Sequence, residues 1–296
     1  MKRHLALILV LSLVLTILAG CSAPATDNTT SSAPNTLDTV LKRGHLIVGT
    51  GSNNPPWHFK DDSGTYQGFD VEMARILARA LFKDETKVEF VEQTSDSRIP
   101  NVLSGKVDIT IQFMTISAER AQQVAFSMPY YTEGSALMLA ADGKYESGED
   151  LDKAAADGAV LKIGVLQNAY ADDIVKSYYE TAVAEQFEEQ AMVIQALTSG
   201  VIDAAAIDAS NVAYQVALNP NLFVNSGRAA YPQNYGFAMR PDDQIWINFV
   251  NTMMTDAMTG NDFALYQAAF TKWFGESDQL SEPTIGMPKI YRNNNN

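Results

Sequence analysis

The stretch QFMTISAERAQQVAFSMPYY, residues 112–131, shows how the chain is organised. It starts at the end of an apolar run that is typical of a β-strand, and Ser117 then opens a segment with helical character. In open α/β sheets, ligands bind outside the carboxyl ends of the strands. The stretch therefore predicts an α/β fold in which Thr115, just beyond a strand, faces a cleft.

Arg120 lies in the first turn of a helix predicted for Ala118–Val124, with Ser117 as its N-cap. The helix dipole disfavours a cation there by about 0.3 to 1 kcal/mol. A bound carboxylate would compensate, because it would accept bonds from free backbone N–H groups and from the guanidinium. The alternatives are a solvated arginine or an ion pair with Glu119 or Asp70.

Strand-like and helix-like segments alternate along the chain, which is typical of mostly parallel sheets covered by helices. The clearest helix is Asp70–Lys83, whose apolar residues fall on one face. The other predicted helices are Ile99–Ser104, Ala118–Val124, Ala171–Ala184, Met192–Thr198, Asn211–Leu218, Ile245–Met258 and Ala264–Phe274. The predicted strands are His45–Thr50, Lys87–Gln93, Ile109–Phe113, Ala136–Ala141, Lys162–Leu166, Ala204–Asp208, Leu222–Asn225 and Tyr235–Arg240.

Two similar pentapeptides, SGKVD at 104–108 and SGVID at 199–203, each join a predicted helix to a predicted strand. In both, a glycine ends the helix and an aspartate precedes the strand. This arrangement is common in α/β proteins, so it is compatible with one large domain or with two similar lobes. Two lobes would place Thr115 and Asp208 on opposite sides of one cleft.

Asp208 ends the apolar predicted strand Ala204–Asp208. Its carboxylate could cap the helix that follows, or it could bind a ligand. Together with Arg120 it forms a complementary pair, since a cation suits a carboxylate and an anion suits an ammonium group. Recognition of an α-amino acid requires both of these groups.

The segment NNPPW, residues 53–57, follows the first predicted strand. Two prolines stiffen it, and Trp57 offers a flat apolar face to a ligand or, alternatively, packs into the core. The preceding Gly49-Thr50-Gly51 lacks the third glycine of a dinucleotide-binding loop, and the prolines exclude a helix there. We therefore reject dinucleotide binding for this segment.

The composition excludes several classes of protein. A formal net charge of −14 at pH 7 argues against nucleic acid as a partner, because phosphate binding requires a basic surface. The single cysteine, Cys21, excludes an intrachain disulfide and a Cys-based metal cluster. The chain also lacks calcium-loop spacing and the motifs of P-loop, serine-hydrolase and zinc-protease enzymes. We therefore predict no cofactor, no metal and no catalytic residues.

The N-terminus is typical of a secretion signal. Lys2 and Arg3 precede the apolar run Leu5–Leu18, which is too short for a typical membrane span. Leu-Ala-Gly directly before Cys21 resembles a bacterial lipoprotein signal, in which the cysteine is lipidated and becomes the first residue. The alternative is an ordinary signal with a chance cysteine. Residues 1–20 are predicted to be the signal peptide.

Both ends of the mature chain differ in composition from its centre. Residues 21–36 are rich in Ser, Thr, Pro and Asn and predict a flexible tether. Residues 281–296 end in four asparagines and predict a loose tail. The segment between them is long enough to bury a sizeable core.

Six motifs, in their order and spacing, make the chain resemble solute-binding family 3, the polar amino-acid-binding proteins of bacterial ABC importers. They are Gly68–Ala74, Leu103–Asp108, Met114–Arg120, Phe126–Tyr131, Tyr235-Gly236 and Lys272–Gly275. The resemblance runs from about Leu37 to Gly275. It implies a type II periplasmic-binding-protein-like fold, in which two α/β lobes are joined by two strand-like hinge crossings and enclose a ligand cleft.

The resemblance also implies domain boundaries and a mechanism. Lobe 1 would comprise 37–131 and 235–280, and lobe 2 would comprise 132–234, so the crossings follow Tyr131 and lie near Tyr235. The lobes would close on an amino acid, and the closed protein would dock on the permease subunits of an ABC importer. It would be a monomer, held by its lipid anchor on the periplasmic side or outer face of the cell membrane.

Carried over by position, Arg120 and the Thr115 backbone would bind the α-carboxylate of the ligand. Asp208, the Phe113 carbonyl and the Thr115 hydroxyl would hold the α-ammonium. These four residues are the implied contacts to the main-chain atoms of the ligand.

Further residues are implied to contact the side chain of the ligand: Trp57, Asn54, Arg98, Gln167 and Tyr170. Arg98 matches an arginine that acidic-amino-acid binders of the family use for the side-chain carboxylate. The resemblance favours glutamate, aspartate or their amides over lysine, arginine or histidine.

Three departures from the family pattern bear on this choice. Gly51 stands where acid binders carry a basic residue, and Gln167–Tyr170 stands where a Gly-Thr loop is frequent. Phe113 replaces a small residue, which would narrow the pocket. Two other functions on the same scaffold remain as alternatives, namely a periplasmic cyclohexadienyl-type dehydratase and an amino-acid sensor or adhesin lipoprotein.

Overall fold

The computed structural model describes residues 35–167 and 170–275. The predicted signal peptide, Cys21, nearly all of the predicted tether and the C-terminal tail lie outside the described residues. Within the described part, no helix is long and apolar enough to cross a membrane.

Helices and strands alternate along the described residues, in agreement with the predicted α/β class. The helices are α1 (Thr36–Arg43), α2 (Phe69–Phe82), α3 (Arg98–Leu103), α4 (Gly148–Ala156), α5 (Ala171–Tyr178), α6 (Gln190–Thr198), α7 (Ala209–Leu218), α8 (Gln244–Thr259) and α9 (Phe263–Phe274). The strands are β1 (Leu46–Thr50), β2 (Asn53–Asn54), β3 (His58–Lys60), β4 (Tyr66–Gln67), β5 (Val88–Glu92), β6 (Ile109–Thr110), β7 (Ala125–Phe126), β8 (Tyr131–Ala140), β9 (Lys162–Leu166), β10 (Val183–Phe187), β11 (Ala204–Asp208), β12 (Phe223–Tyr235) and β13 (Ala238–Met239).

Most of these strands belong to two mixed sheets, each with five strands among the described residues. The first has the order β5-β1-β6-β13-β7, with β1 parallel to β5 and β6, and β13 antiparallel to its neighbours. The second has the order β10-β9-β11-β8-β12, with β9 parallel to β10 and β11, and β8 antiparallel to β11 and β12. Each sheet has its own buried apolar residues, and we refer to the two bodies as the first and second lobes.

Two long strands, β8 and β12, carry the chain between the lobes. β8 begins at Tyr131, β12 ends at Tyr235, and these two residues pair in antiparallel register. The chain leaves the first sheet after β7, builds the second sheet and returns to add β13 to the first. The two crossings therefore lie side by side and form a common hinge.

The first-lobe end of the hinge packs against an aromatic cluster, formed by Trp57, Phe69, Tyr131, Tyr235 and Phe274. Trp57 is fully buried, and its ring centroid lies 4.8 Å from that of Tyr131 and 5.2 Å from that of Tyr235. Aromatic pairs at such separations stabilise by about 0.5 to 1.5 kcal/mol beyond their buried area. The cluster therefore anchors both crossing strands to the first lobe.

The helix predicted for Ala118–Val124 is wrong. The structure has a 3₁₀ turn at Arg120–Gln122, which Ser117 caps by accepting a bond from the Arg120 N–H at 3.2 Å. Strand β7 follows at once and pairs with β13, so sheet pairing ends the turn before an α-helix forms. A single turn has little dipole, and the argument from a helix dipole at Arg120 does not apply.

Other predicted boundaries also differ from the structure. The helix predicted for 171–184 ends at Tyr178, because β10 follows and joins the edge of the second sheet. Helices α1 and α4 were not predicted, although each has an N-cap side chain, Asn35 and Ser147, that accepts a backbone N–H. These caps were the available signals for both helices. Thr36, assigned to the tether, begins α1.

Gly68→Ala is expected to lower the free energy of unfolding by about 3 kcal/mol. Gly68 precedes α2 with φ +118°, and a Cβ there would lie 2.2 Å from the Trp57 carbonyl oxygen. Urea unfolding followed by circular dichroism measures the loss. Gly64→Ala is the matched control, because Gly64 also has a positive φ, +79°, but a Cβ would meet no atom within 4 Å. Equal losses in the two variants would contradict the steric argument.

Candidate ligand-binding site

A cavity of about 50 Å³ lies between the two lobes. We call it the clamp cavity. Its wall includes five of the residues predicted to bind a ligand: Arg98, Phe113, Thr115, Arg120 and Asp208. The first four come from the first lobe, and Asp208 comes from the second. The structure therefore brings residues far apart in sequence to one cavity at the lobe interface.

Arg120 is a buried cation held in a fixed orientation. Its Nη1 donates to the Thr115 carbonyl at 3.0 Å, and its guanidinium lies 5.2 Å from the ring centroid of Tyr170 in the second lobe. Burial lowers the pKa of Arg120 below its ordinary value. Among the described residues, no carboxylate forms an ion pair with it; Asp70 accepts bonds elsewhere. Arg120 therefore contributes a guanidinium without an ion-pair partner among the described residues to the wall of the clamp cavity.

Asp208 is the opposite charge on the second lobe. It stands directly before α7, but its side chain makes no capping bond, so the helix-cap alternative is not realised. The residue as a whole is partly exposed, whereas its Oδ2 is shielded from solvent and has no hydrogen-bond partner within the described residues. Burial, and then the nearby charge of Glu133, raise the pKa of Asp208 well above its ordinary value. A buried acceptor without a partner is costly, and a ligand N–H would satisfy it.

Phe113 and Thr115 form the first-lobe rim of the clamp cavity. Phe113 has φ +30°, uncommon for a bulky residue, and its N–H donates to Asp70 Oδ2 at 2.9 Å. The Thr115 hydroxyl donates to Gln233 Oε1 at 2.6 Å, so it bonds the hinge strand β12. Such backbone strain is typical of functional sites, where the surrounding contacts hold it in place.

Arg98 is a second buried cation of the clamp cavity, and it is 4% exposed. Its Nε donates to the Ser95 carbonyl at 2.9 Å, and its Nη1 donates to the Gln112 carbonyl at 3.3 Å. Burial, and then the charge of Arg120, lower the pKa of Arg98 to about 9. Since Arg98 also forms no ion pair with a described residue, the cavity holds more positive than negative charge.

Trp57 does not line the clamp cavity. Its ring lies at the centre of the aromatic cluster, fully buried, so the structure places it in the core, as the alternative interpretation had it. Its Nε1 nevertheless reaches the second lobe and donates to Ser210 Oγ at 3.0 Å. Trp57 therefore acts at the lobe interface through one N–H rather than through its face.

Asn54, Gln167 and Tyr170 lie at the interface but outside the wall of the clamp cavity. Asn54 is buried, and its amide donates to Gln190 Oε1 at 3.2 Å across the interface. Gln167 is exposed and reaches Asp96 at 3.4 Å. Tyr170 donates its hydroxyl to Ser117 in the first lobe. Asn168 and Ala169, between the last two, lie outside the described residues.

The lobes are in a closed arrangement, because side chains of one bond side chains of the other along the whole interface. The contacts are Asn53 to Glu189, Asn54 to Gln190, Asn211 to Asn54, Trp57 to Ser210, Gln167 to Asp96 and Tyr170 to Ser117. A ligand in the clamp cavity would therefore be enclosed by both lobes.

Comparison with known proteins identifies the family to which the chain belongs. The model of the bacterial extracellular solute-binding proteins, family 3, matches residues 46–276. The chain belongs to that family. It is 35% identical over 223 residues to the glutamine-binding protein of Geobacillus stearothermophilus, a match that covers 70% of this chain and 80% of the relative.

A second relative of this family 3 protein is the ABC transporter glutamine-binding protein GlnH of Bacillus subtilis strain 168, 25% identical over 93% of this chain and 98% of the relative. Among solved structures, the ancestral amino-acid-binding protein AncCDT-1, a precursor of cyclohexadienyl dehydratase, is similar with a TM-score of 0.68 and 33% identity. That match covers 81% of this chain and all of the other. The predicted family and type II two-lobe fold are confirmed.

Glu133 is a buried residue of this family 3 protein that the sequence analysis missed. It lies on β8 two residues before Ser135, the pairing partner of Asp208, and it accepts bonds from Ser210 Oγ and from the Gly134 N–H. Burial raises the pKa of Glu133 above its ordinary value. The sequence feature that could have revealed Glu133 is a lone charge in an apolar strand. Since side chains alternate between the two faces of a strand, Glu133 lies on the same face as Ser135.

A second cavity, of about 220 Å³, shares Phe113, Leu166 and Gln190 with the clamp cavity. We call it the side cavity. Polar and amide side chains line most of it, among them Asn54, Gln93 and Gln112. The solute-binding protein therefore has a clamp cavity with two buried arginines beside a larger polar cavity that is lined by amides and by three glutamates.

Proposed function

We propose that this protein is the substrate-binding subunit of an ABC importer that captures a polar L-amino acid. The observation that carries the proposal is a guanidinium and a carboxyl oxygen on one enclosed cavity, each of which lacks a partner of the kind it needs within the described residues. Arg120 has no ion-pair partner and Asp208 Oδ2 has no hydrogen-bond partner within the described residues. An α-carboxylate and an α-ammonium would satisfy these two groups at once.

The favoured side chains are those of glutamate, aspartate, glutamine and asparagine. Arg98 adds a buried cation near the clamp, which suits a side-chain oxygen, and Gly51 supplies no second basic group. The names of the two glutamine-binding relatives support the amides. Lysine and arginine side chains would add positive charge beside Arg98 and Arg120, which is unfavourable at close range.

The proposal includes an extracytoplasmic location and a partner. Family 3 is described as extracellular, and the Leu-Ala-Gly-Cys sequence supports lipidation at Cys21. The protein would act as a lipid-anchored monomer and would deliver its ligand to the membrane permease of the importer. GlnH, named as an ABC transporter protein, supports this partner.

A thermal-shift screen of the common amino acids tests the proposal. A ligand at about 100 times its Kd stabilises the folded state by about 2.7 kcal/mol, which is a readily measured rise in Tm. The protein must first be unfolded and refolded to remove co-purified ligand. Failure of every amino acid to raise the Tm would overturn the proposed function.

Trp57→Phe is expected to weaken ligand binding about fivefold, because it removes one hydrogen bond that only the closed form makes. Phenylalanine keeps most of the aromatic packing but has no N–H for Ser210. Isothermal titration gives the Kd, and small-angle scattering gives the closed fraction. Trp246→Phe is the control, since the Trp246 N–H donates to the Asp108 carbonyl within the first lobe. Equal loss of affinity in both variants would contradict a role for Trp57 in closure.

A cyclohexadienyl-type dehydratase is the second candidate. It needs a carboxylic acid that holds a proton near neutral pH, and the raised pKa values of Asp208 and Glu133 favour that possibility. The similarity to AncCDT-1, named as a precursor of cyclohexadienyl dehydratase, supports this candidate. Incubation with arogenate or prephenate and chromatographic detection of product would establish the enzyme, whereas an amino-acid complex without turnover supports transport.

A further inference from the structure

The side cavity contains one ring nitrogen that nothing in the described chain uses. His58 lines the cavity, and its Nδ1 lies 2.8 Å from Asp70 Oδ2. The amides around it bond one another: Gln93 donates to Gln112 at 3.0 Å, and Asn54 donates to Gln190 at 3.2 Å. No described residue bonds His58 Nε2. The His58 side chain is only 2% exposed, and since it lies in the cavity wall, a molecule in the cavity is the partner that Nε2 could still gain.

The neighbours of His58 determine which of its nitrogens carries the proton. The Asp70 carboxylate also accepts from the Phe113 N–H and from the Tyr130 hydroxyl, so it is an acceptor on every side. His58 Nδ1 must then be the donor, and Nε2 has a free lone pair. Burial lowers the pKa of His58 below its ordinary value of 6.5, and the charge of Arg98 acts in the same direction, against Asp70. The ring is neutral at physiological pH.

Gly51 gives the imidazole its place in the cavity wall. A Cβ at position 51 would lie 2.5 Å from His58 Cδ2 and 2.7 Å from Nε2. Any side chain there would displace the ring or cover its nitrogen. The glycine at position 51 therefore both removes a basic side chain from the cavity and leaves room for the edge of the His58 imidazole in its wall.

The other charged groups of the cavity favour a neutral ligand side chain. Glu92, Glu188 and Glu189 line it, and within the described residues only Glu92 of these three is paired with a cation, Lys60. Arg98 lines the clamp cavity rather than the side cavity. A carboxylate in the side cavity would therefore face acidic groups and a nitrogen lone pair, whereas a carboxamide would bring N–H donors to both.

We propose that His58 is the specificity-determining residue of the side cavity, where its Nε2 accepts a hydrogen bond from the side-chain amide of glutamine or asparagine. The inference rests on the proposed function and refines it to a preference for amides over acids. A carboxylate side chain can take the same place only when His58 gains a proton and becomes a donor. Binding of glutamate is therefore coupled to proton uptake, and binding of glutamine is not.

Isothermal titration with glutamine and glutamate at about pH 8 and about pH 5.5 tests the coupling, because both amino acids keep their side-chain charge state over this range. At the higher pH we expect glutamine to bind at least about tenfold more tightly than glutamate. The ratio falls at the lower pH. Asp208 and the nearby Glu133 would act on the ammonium that both ligands share, so a change in their protonation alters both affinities alike and cancels in this ratio.

Repeating the titrations in buffers of different ionisation enthalpy counts the protons directly. Glutamate should take up close to one proton at the higher pH, and glutamine should take up none. This readout uses the wild-type protein alone, so it holds even if a variant at position 58 fails to fold.

Two substitutions distinguish the role of His58 as a hydrogen-bond acceptor from its role as a group that gains a proton. His58→Asn keeps a donor to Asp70 but lacks Nε2, so the preference for glutamine should fall about tenfold and become independent of pH. His58→Gln can offer an amide oxygen near the position of Nε2 but does not titrate. It should keep the preference and lose the pH dependence.

The outcomes distinguish this inference from the proposed function. A glutamine-to-glutamate ratio that does not change with pH, or that His58→Asn leaves intact, overturns the role of His58 while amino-acid binding stands. The role of His58 is also overturned if the best ligand is another amino acid and the protein shows no preference for glutamine over glutamate or for asparagine over aspartate. If no amino acid binds at all, the proposed function itself fails.

Discussion

Asp208→Asn is expected to weaken amino-acid binding by about 2 to 5 kcal/mol, at least about 30-fold, and at the same time to raise the Tm of the ligand-free protein. The first effect follows from loss of the anion that faces the ligand ammonium. The second follows because Asp208 Oδ2 is shielded from solvent without a partner, and an amide there carries no charge to bury.

The pH dependence of this stabilisation has a definite sign. The folded-state pKa of Asp208 is raised above 3.8, so the folded protein binds more protons than the unfolded chain between 3.8 and the raised value. The contribution of Asp208 to the stability of the wild-type protein is therefore most favourable at low pH, and it is lost as the pH rises through the raised pKa. The difference in Tm between the variant and the wild type should grow with pH.

Calorimetric melting over a pH series, together with isothermal titration, measures both effects of Asp208→Asn. Asp142→Asn is the matched control, because Asp142 is exposed and removal of its charge should change neither quantity. A variant that binds normally would contradict the site. A ligand-free variant less stable than the wild type would contradict the argument from burial.

Arg120→Gln is expected to reduce affinity by at least about 100-fold, because it removes the buried cation that pairs with the α-carboxylate. Arg120→Lys keeps the charge but loses the planar two-pronged geometry, so an intermediate loss of about tenfold is expected. Isothermal titration of the best ligand from the screen measures both. Arg79→Gln, on the exposed face of α2, is the control.

The graded order of the two Arg120 variants is the informative result. If Arg120→Lys binds as weakly as Arg120→Gln, hydrogen-bond geometry dominates over charge. If Arg120→Gln binds as well as the wild type, the carboxylate of the ligand lies elsewhere and the site assignment is wrong.

The sequence predicted much of the fold because the alternation of strand and helix patterns is strong in both lobes. It failed at Ala118–Val124, where local helical preference is real but pairing of β7 with β13 outweighs it. That pairing joins segments more than a hundred residues apart, so no local pattern could reveal it. The missed helices α1 and α4 are short, and only their caps marked them.

The clamp cavity was predictable for a different reason. Thr115 and Asp208 follow strand ends, and the carboxyl ends of strands are where α/β folds place ligands. The direction of Trp57 was not predictable, because an aromatic ring beside a strand suits a core and a pocket equally. The role of Glu133 required knowledge of strand register, and that of His58 required knowledge that its ring packs against Gly51.

The N–H of Trp57 has a consequence for observing the protein at work. In the closed form this indole bonds Ser210 across the interface, and opening of the lobes must replace that partner with water. Trp246 keeps its partner within one lobe in either state. Trp246 and Trp273 both lie in first-lobe helices, so Trp57 is the tryptophan whose hydrogen bond crosses the interface, and a change of intrinsic fluorescence on ligand capture would report lobe closure without any label.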